Sequence, residues 1–202
     1  MQPDKNLWAP RIYTPHGFVK NNLLEGVRAL DVGCGDRKLS GATGVDILAL
    51  PSVDVVHDLS VFPWPFADNS FDLILANHFM EHATDVVKTL EEICRILAPG
   101  GHVVIQVPYF RSTDAFTDPT HRHFFTSQSF DYVVAGDVQA RYRYSATLFE
   151  KLGFWYGWPH PSKNPLKQLL KSFIAAHPEF YDQYLSILLP TECLTWELEK
   201  VS

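Results

Sequence analysis

Two short stretches of the chain place histidines near carboxylates. In STDAFTDPTHRHFFT, residues 112–126, Asp118 comes three residues before His121, and NHFMEH, residues 77–82, ends in His82. A histidine titrates near neutral pH, and a carboxylate beside it can hold the ring in place, so such a pair suits proton transfer. The sequence therefore offers His121, His82 and Asp118 as candidate catalytic residues.

The same residues have structural interpretations that the sequence leaves open. Asp118 precedes a proline, and this dipeptide favours a turn closed by the aspartate side chain, beneath which His123 would pack. Glu81 and His82 are equally consistent with a pair that only orients its loop. The aromatic residues around His121 are more typical of a core than of a stacking surface for a flat ligand.

We expect no metal site from these stretches. The histidines of the H-R-H segment lie close to Asp114 and Asp118, but their spacing is not that of a standard zinc motif. The chain also contains three cysteines far apart in sequence, Cys34, Cys94 and Cys193. Without paired spacing they indicate neither a zinc site nor a disulfide framework, and we interpret them as buried or incidental thiols.

A different kind of site is indicated by alternating glycines and acids in ALDVGCGDRKLSGATGVDIL. An apolar run ends at Asp31, Gly33 and Gly35 follow, and a second apolar run ends at Asp46. Glycines directly after a buried strand let the backbone approach a ligand closely. A carboxylate at the end of the next strand suits the two hydroxyls of a ribose. The pattern therefore predicts a site for a nucleoside-containing cofactor.

The details of this pattern disfavour a dinucleotide. The third glycine of the G-x-G-x-x-G fingerprint is replaced by Lys38, and no G-K-[ST] follows, which excludes a phosphate-binding P-loop. Ten residues separate Gly35 from Asp46, too few for a crossover helix and a strand. We expect one helical turn or a bare loop there. An oxidoreductase that uses a nicotinamide dinucleotide remains the weaker alternative.

The elements that position these residues follow a strand-helix-strand pattern. Short apolar strands are predicted at 27–32, 43–47, 53–59, 71–77 and 102–108, with a helix between the last two that ends at APGG. This order predicts parallel pairing in an α/β fold, a Rossmann-like open twisted sheet with helices on both faces. Ligands of such sheets bind beyond the carboxyl ends of the strands.

The second half of the chain is dense in aromatic residues and weaker in helical periodicity. Helices are predicted within 126–136 and over 165–176, and residues 147–158 are predicted as a helix end, a glycine turn and a strand. Residues 193–201 alternate apolar and polar side chains, which predicts a half-buried, antiparallel C-terminal strand. Its inward residues would be Leu194, Trp196 and Leu198, and its outward residues Thr195, Glu197 and Glu199.

Composition limits the function classes. The chain has 202 residues, which fits a single domain with an N-terminal extension at 1–26, a core at 27–108 and a closing region at 109–202. Its net charge of -6 argues against a nucleic-acid partner. No apolar run is long enough to span a membrane, and no signal core is evident, so we expect a cytoplasmic protein. Formation of a homodimer remains open.

The ordered set LDVGCG, GVDI, HDL, FPWPFADNSFDLILANHFMEH and EEICRILAPGGHVVIQVP resembles the class I S-adenosylmethionine-dependent methyltransferases. The likeness covers residues 27–108 and is strongest to the branch that methylates small molecules such as quinones and sterols. It implies a seven-stranded sheet with one antiparallel strand near its edge. It also implies S-adenosylmethionine as the cofactor.

The resemblance implies that the methionine part of the cofactor is lined by four residues, Asp31, Gly33, Cys34 and Gly35. Asn77 and His78, at the end of the fourth strand, would flank the methionine and the sulfonium. The link after the glycines is shorter than the full helix usual in the family. Either Arg37 or Lys38 helps to hold the cofactor carboxylate, or the link is a solvated surface loop.

The resemblance also implies how the nucleoside is held. Asp46 would accept the ribose hydroxyls, Ile47 would pack on the adenine, Asp58 would accept from the adenine amino group, and Leu59 would supply a backbone contact. The expected reaction is methyl transfer to a small-molecule acceptor at oxygen, carbon or nitrogen. The alternative within the same fold is a catalytically silent relative that serves as a binding subunit.

Overall fold

The computed structural model describes residues 7–14, 17–18, 23–147, 149–160, 162 and 164–201. A pair of short strands, β1 (Tyr13–Thr14) and β2 (Gly17–Phe18), precedes a seven-stranded sheet. The strands of the sheet are β3 (Ala29–Val32), β4 (Thr43–Asp46), β5 (Val55–Val56), β6 (Phe71–Asn77), β7 (Leu97–Pro108), β8 (Phe149–Tyr156) and β9 (Cys193–Lys200). The α-helices are α1 (Ala9–Ile12), α2 (Val86–Ile96), α3 (Asp114–Thr117), α4 (Pro165–Ala176) and α5 (Pro178–Phe180).

The sheet has the order β5-β4-β3-β6-β7-β9-β8. All pairs from β5 to β7 are parallel, whereas β9 runs antiparallel to both of its neighbours. This confirms the Rossmann-like, mostly parallel sheet with an antiparallel C-terminal strand. The strand order reverses between β3 and β6, which is where such sheets open a crevice for a ligand. No helix of the described residues is long and apolar enough to cross a membrane.

The two faces of the sheet are covered unequally. One face packs with α2 and α4 in a core that includes Ile74, Ile93 and Trp196. The other face is covered in large part by the segment around α1, whose Ile12 and Tyr13 are buried in a second core. The part of the predicted N-terminal extension that the structure describes therefore forms one wall of the fold. The link between β3 and β4 is a bare loop, one of the two forms that its length predicted.

Two of the three residues predicted to lie on the outward side of β9 are buried, contrary to the prediction from its alternating pattern, and the third, Glu199, is partly exposed. Thr195 and Glu197 are fully buried. Glu197 accepts hydrogen bonds from the backbone amides of Trp8 and Ala9, at 2.8 and 2.9 Å, and contacts Nδ1 of His102 at 2.7 Å. Polar residues can line a buried face when each has partners. The N-terminal segment supplies partners for Glu197, whereas the Thr195 hydroxyl accepts from Gln106 and donates to the Gly157 carbonyl.

The region after β7 also departs from prediction. The helix expected within 126–136 is reduced to a 3₁₀ turn at Asp131–Val133. Of the helix end and turn expected at 147–153, residues 149–153 instead belong to β8, with a register irregularity beside Gly153, and residue 148 lies outside the described residues. The helix expected over 165–176 is present as α4, but its apolar residues Leu166 and Leu169 are exposed and only Ile174 is buried.

Candidate functional site

The carboxyl end of β3 leads into a tight glycine turn. Gly33 and Gly35 have φ values of 64° and 52°, in the left-handed region that favours glycine. A Cβ atom on Gly33 would lie 2.8 Å from the Phe79 ring, whereas one on Gly35 would meet no atom within 4 Å. The backbone amides of Gly33 and Cys34 donate to the carbonyl of Val45 at 2.9 and 3.2 Å. The turn therefore leaves open space beside Gly35.

Asp46, at the end of β4, fastens this turn. Its Oδ2 accepts a hydrogen bond from the Gly35 amide at 2.9 Å, and its Oδ1 accepts one from the Leu48 amide at 2.9 Å. A carboxylate offers about four acceptor positions, so each oxygen can accept a further bond from a ligand. Directly beside it, Ile47 and Leu48 are 60% and 58% exposed. An acid and an apolar shelf thus adjoin each other at the sheet edge.

Asp31 is buried beneath the same turn. Its Oδ2 accepts a hydrogen bond from the Leu39 amide at 2.7 Å, which ties the end of the link back to β3. Burial raises the pKa of this carboxyl to about 7, although the Leu39 hydrogen bond and the charge of Lys38 both act to lower it. Asp31 therefore has a clear structural role in shaping the loop, next to the role that the resemblance implies.

The stability of the Asp31→Asn variant, compared with that of wild type at the same pH, is expected to increase as pH rises. The native-state pKa of about 7 lies above the value near 3.9 of an unfolded chain, so ionisation costs native stability progressively from about pH 4 to pH 7. The variant lacks this cost, and its stability relative to wild type should rise by about 2–3 kcal/mol from pH 5 to pH 8. Urea unfolding of both proteins at the two pH values measures the difference in their free energies of unfolding. An equal difference at pH 5 and pH 8 would contradict the raised pKa of Asp31.

The loop after β5 contains the predicted adenine contacts. Asp58 accepts a hydrogen bond from the Ser60 amide at 2.9 Å, and hydrogen bonds from Ser60 hold the pKa of its carboxyl below the usual range. Leu59 is buried, and its carbonyl accepts from Nε1 of Trp64 at 3.0 Å. Asp58 is therefore an ionised acid in an ordered turn.

The end of β6 brings Asn77 and His78 to the same edge. Oδ1 of Asn77 accepts a hydrogen bond from the Tyr13 hydroxyl at 3.0 Å, so the N-terminal segment reaches the predicted methionine side. His78 has a φ of 52°, which is uncommon for a residue with a side chain and marks a constrained loop. Its Nδ1 lies 3.2 Å from Oε1 of Glu81.

The two cations after the glycines are placed differently from each other. Nζ of Lys38 lies 2.6 Å from Oδ2 of Asp54, which also accepts from the Gly44 amide. Arg37 is 90% exposed, and its closest acid is Asp36 at 3.8 Å. Lys38 thus fastens the link to β4 and β5. Arg37 corresponds to the solvated surface loop that the sequence left open.

His82 lies at the end of a hydrogen-bonded chain. The Thr120 hydroxyl is 2.7 Å from Oδ1 of Asp118 and 2.9 Å from Nδ1 of His82. A carboxylate only accepts, so the hydroxyl donates to Asp118 and accepts from the His82 Nδ1–H. Asp118 also accepts from the Thr120 amide at 2.8 Å, which forms the turn that the Asp-Pro dipeptide favours. The turn is thus part of the arrangement that orients His82.

His121 stands against His82. Their ring centroids are 4.7 Å apart at an angle of 70°, and Nδ1 of His121 lies 3.0 Å from the carbonyl oxygen of Ala115. Because a carbonyl only accepts, Nδ1 carries the proton and Nε2 presents the lone pair of neutral His121. The same reasoning gives Nε2 as the lone-pair nitrogen of His82. His123 instead directs its Nε2 to the Ala83 carbonyl at 2.8 Å, in a packing role.

Glu81 links these loops, a position that sequence analysis treated only as a pair with His82. Its carbonyl accepts from the amides of Arg122 and His123, at 2.8 and 3.3 Å. Its side chain is 1% exposed, and its Oε2 has no hydrogen-bond partner among the described residues. Glu81, His82 and His121 each place one ligand-type atom within 4.8 Å of the others. Nothing in the sequence relates residues 81–82 to residue 121, so only the fold reveals the group.

Residues 30–105 match the protein family described as a methyltransferase domain. The chain is 32% identical over 125 residues to sterol 24-C-methyltransferase of Aspergillus fumigatus, covering 50% of this chain and 33% of that protein. It is 30% identical over 117 residues to demethylmenaquinone methyltransferase of Staphylococcus epidermidis, covering 46% of this chain and 48% of that protein. The chain spans between about a third and a half of the length of these relatives.

A solved structure extends the likeness to the whole sheet. A SAM-dependent methyltransferase from Archaeoglobus fulgidus superposes with a TM-score of 0.51 and 18% identity, covering 88% of each chain. At this identity the superposition shows the fold alone, whereas the family match rests on the sequence between β3 and β7. Residues 30–105 are therefore similar to the methyltransferase domain family, and the strand order and the superposition show a Rossmann-like fold that the chain shares with this solved methyltransferase.

Proposed function

We propose that this chain transfers the methyl group of S-adenosylmethionine to a small-molecule acceptor. The observation that carries the proposal is the Asp46 carboxylate, which fastens the glycine turn and adjoins the exposed Ile47 and Leu48. This combination suits a nucleoside, because the acid can accept from ribose hydroxyls and the apolar shelf can cover a flat base. The named activities of the sterol and menaquinone relatives support a small-molecule acceptor.

The nucleoside is assigned to the edge between β4 and β5. Asp46 holds the ribose hydroxyls, and Ile47 packs on the adenine. Asp58 accepts from the adenine amino group, which suits an acid that is ionised and exposed. Leu59 contributes through its backbone, since its side chain is buried in the core. The test of this assignment is affinity for the nucleoside part of the cofactor.

The methionine part is assigned to the turn after β3 and the end of β6. The open space beside Gly35 admits a ligand close to the backbone, while Gly33 and Cys34 fix the turn through their bonds to Val45. Asp31 lies beneath and supports this turn. Asn77 and His78 bound the opposite side.

The bound cofactor supplies an activated methyl group on a sulfonium, and its transfer is an in-line displacement. The thioether leaves without needing a proton, so the main task of the protein is to hold the acceptor atom behind the methyl group. His121, with His82 and Asp118 behind it, is proposed to accept the hydrogen bond of the acceptor group. These residues follow the end of β6 and the end of β7, and the neighbouring Glu81 contacts His78 of the proposed methionine site at 3.2 Å.

The remaining expectations about partners and compartment stay proposals. The net charge of -6 favours a small molecule over a nucleic acid. We retain a cytoplasmic location and a homodimer as working proposals. Size-exclusion chromatography with light scattering would measure the oligomeric state directly.

A ligand panel tests the proposed function. S-adenosylmethionine and S-adenosylhomocysteine are each expected to raise the melting temperature. At a ligand concentration of 100 times the dissociation constant, binding adds about 2.7 kcal/mol to the free energy of unfolding. NAD is expected to leave it unchanged. A shift with NAD alone, or no shift with either sulfur compound, would overturn the proposal. Binding without transfer of labelled methyl to any metabolite in a screen would favour the catalytically silent alternative.

A further inference from the structure

We propose that Glu81, His82 and His121 bind a divalent metal ion of the Zn²⁺ type. The sequence predicted no metal site, because residue spacing reveals only ligands that are close together along the chain. The fold brings together two imidazoles and one carboxylate from separate loops, with their ligand-type atoms within 4.8 Å of one another. Two histidines and a glutamate are an established donor set for zinc sites that leave a coordination position open.

The histidines are oriented by outer partners in the way that metal ligands require. His121 donates Nδ1–H toward the Ala115 carbonyl, and His82 donates Nδ1–H to the Thr120 hydroxyl, which in turn donates to Asp118. Both Nε2 atoms therefore carry lone pairs. A hydrogen bond from the second ring nitrogen to a carbonyl or to a carboxylate-linked group is the usual support of a metal-bound histidine.

Glu81 provides the second, independent observation. Its side chain is 1% exposed, one oxygen contacts His78 at 3.2 Å, and Oε2 has no partner in the described part of the chain. A buried carboxylate oxygen without a partner is costly, and native structures rarely leave one unexplained. A cation bound beside His82 and His121 would supply the missing partner.

The scaffold of the group is held together before any ion binds. The carbonyl of Glu81 accepts from the amides of Arg122 and His123, which fixes the second loop against the first. The separations of up to 4.8 Å exceed the roughly 3.3 Å between ligand atoms of a tetrahedral zinc site. His82 and His121 are half-buried, and we expect their rings to turn toward a bound ion.

The consequence for catalysis rests on the proposed function. With the ion bound, Nε2 of His121 acts on the acceptor through the metal instead of accepting its hydrogen bond directly. Three protein ligands leave a position for an oxygen of the acceptor, such as a hydroxyl. Coordination lowers the pKa of that hydroxyl, and its proton leaves to solvent. The oxygen lone pair then forms the new bond to the methyl carbon, and the carbon–sulfur bond breaks with its electron pair going to the neutral thioether. The inference therefore narrows the acceptor class to molecules with a metal-binding oxygen.

The test is metal binding itself, measured without turnover. Chelator-treated, full-length protein is titrated with Zn²⁺ against a chromophoric competitor and, separately, with Co²⁺ to record its visible absorption. Wild type is expected to bind a single ion. The Co²⁺ absorption bands should lack thiolate charge transfer, because no cysteine is among the proposed ligands. The isosteric Glu81→Gln and the His121→Ala variants should lose more than the roughly 10- to 100-fold in affinity that removing an outer partner costs.

Two further variants separate the ligands from their surroundings. Thr120→Val removes the hydroxyl between Asp118 and His82 and should weaken Zn²⁺ binding by about 10-fold. His177→Ala removes an exposed histidine at the end of α4 and should leave binding unchanged. Circular dichroism confirms that each variant is folded. Equal affinity of wild type and folded Glu81→Gln, or no ion bound by wild type, would overturn the metal site.

The two proposals fail in distinguishable ways. Binding of S-adenosylmethionine by calorimetry with no binding of Zn²⁺ would reject the metal site and leave methyl transfer standing. Binding of Zn²⁺ that is lost in Glu81→Gln, without binding of S-adenosylmethionine, would support the metal site and reject the proposed function.

Discussion

Replacing Asp46 with alanine is expected to weaken the binding of S-adenosylmethionine by about 100-fold, which corresponds to about 2.7 kcal/mol. The variant loses the proposed acceptors of the ribose hydroxyls. It also releases the amides of Gly35 and Leu48, which the carboxylate now holds at 2.9 Å each. The turn that shapes the methionine side then loses its side-chain connection to the nucleoside side and keeps only the backbone hydrogen bonds of Gly33 and Cys34 to Val45. Isothermal titration calorimetry with S-adenosylmethionine and S-adenosylhomocysteine measures the effect.

Two other variants show which part of this loss is specific. Asp46→Asn keeps one acceptor oxygen and should fall between wild type and the alanine variant. Asp72→Asn is a matched control, because Asp72 also accepts from a backbone amide, that of Arg28, but at the opposite end of β6. It should leave the affinity unchanged. An Asp46→Ala variant that is folded and retains wild-type affinity would overturn the ribose assignment.

The parallel half of the fold was predictable because its signals are local. The strand predicted at 71–77 is present with those bounds as β6, and the helix predicted before APGG is α2. A turn-rich segment precedes the first, and a proline with two glycines follows the second, so neither boundary depends on distant residues. The short link after Gly35 was also correctly interpreted, since ten residues cannot hold a crossover helix and a strand.

The covering of the sheet was not predictable in the same way. The alternation in residues 193–201 assigned Glu197 to solvent, because a glutamate on the polar side of a strand is usually exposed. Its burial depends on Trp8 and Ala9, which lie 189 and 188 residues away in sequence. Similarly, α4 was recognised from its periodicity, but periodicity alone does not tell which side of a helix meets the core. Leu166 and Leu169 face outward, and only Ile174 is buried.

The candidate site also has one part that local sequence predicts and one part that depends on contacts between distant residues. The glycine turn and Asp46 lie within one short segment, so their relation to each other follows from residue spacing. His82 and His121 were each selected for their chemistry, but their contact at 4.7 Å between ring centroids depends on two loops meeting. The part played by Glu81 was missed for a further reason. Its carbonyl, its buried side chain and its unpartnered oxygen become informative only in three dimensions.

Replacing His121 with alanine is expected to slow methyl transfer by about 100-fold or more while leaving the affinity for S-adenosylmethionine unchanged. The residue lies on the loop after β7, whereas the proposed cofactor contacts come from the ends of β3, β4, β5 and β6. Its ring contacts His82 and is oriented by the Ala115 carbonyl. The turnover number is measured with labelled S-adenosylmethionine and an acceptor from the metabolite screen. The dissociation constant of the cofactor is measured separately.

A change in the turnover number without a change in the dissociation constant of the cofactor distinguishes an acceptor-side role of His121 from a structural one. If His121 only supported the loop, its loss would be expected to disturb stability and cofactor affinity at least as much as turnover. His177→Ala serves as the control, because that histidine is exposed at the end of α4 and contacts Phe173 rather than the site. An unchanged turnover number in the folded His121→Ala variant would show that His121 has only a packing role. The acceptor-side assignment would then rest on His82 alone, since Asp118 reaches the site only through Thr120.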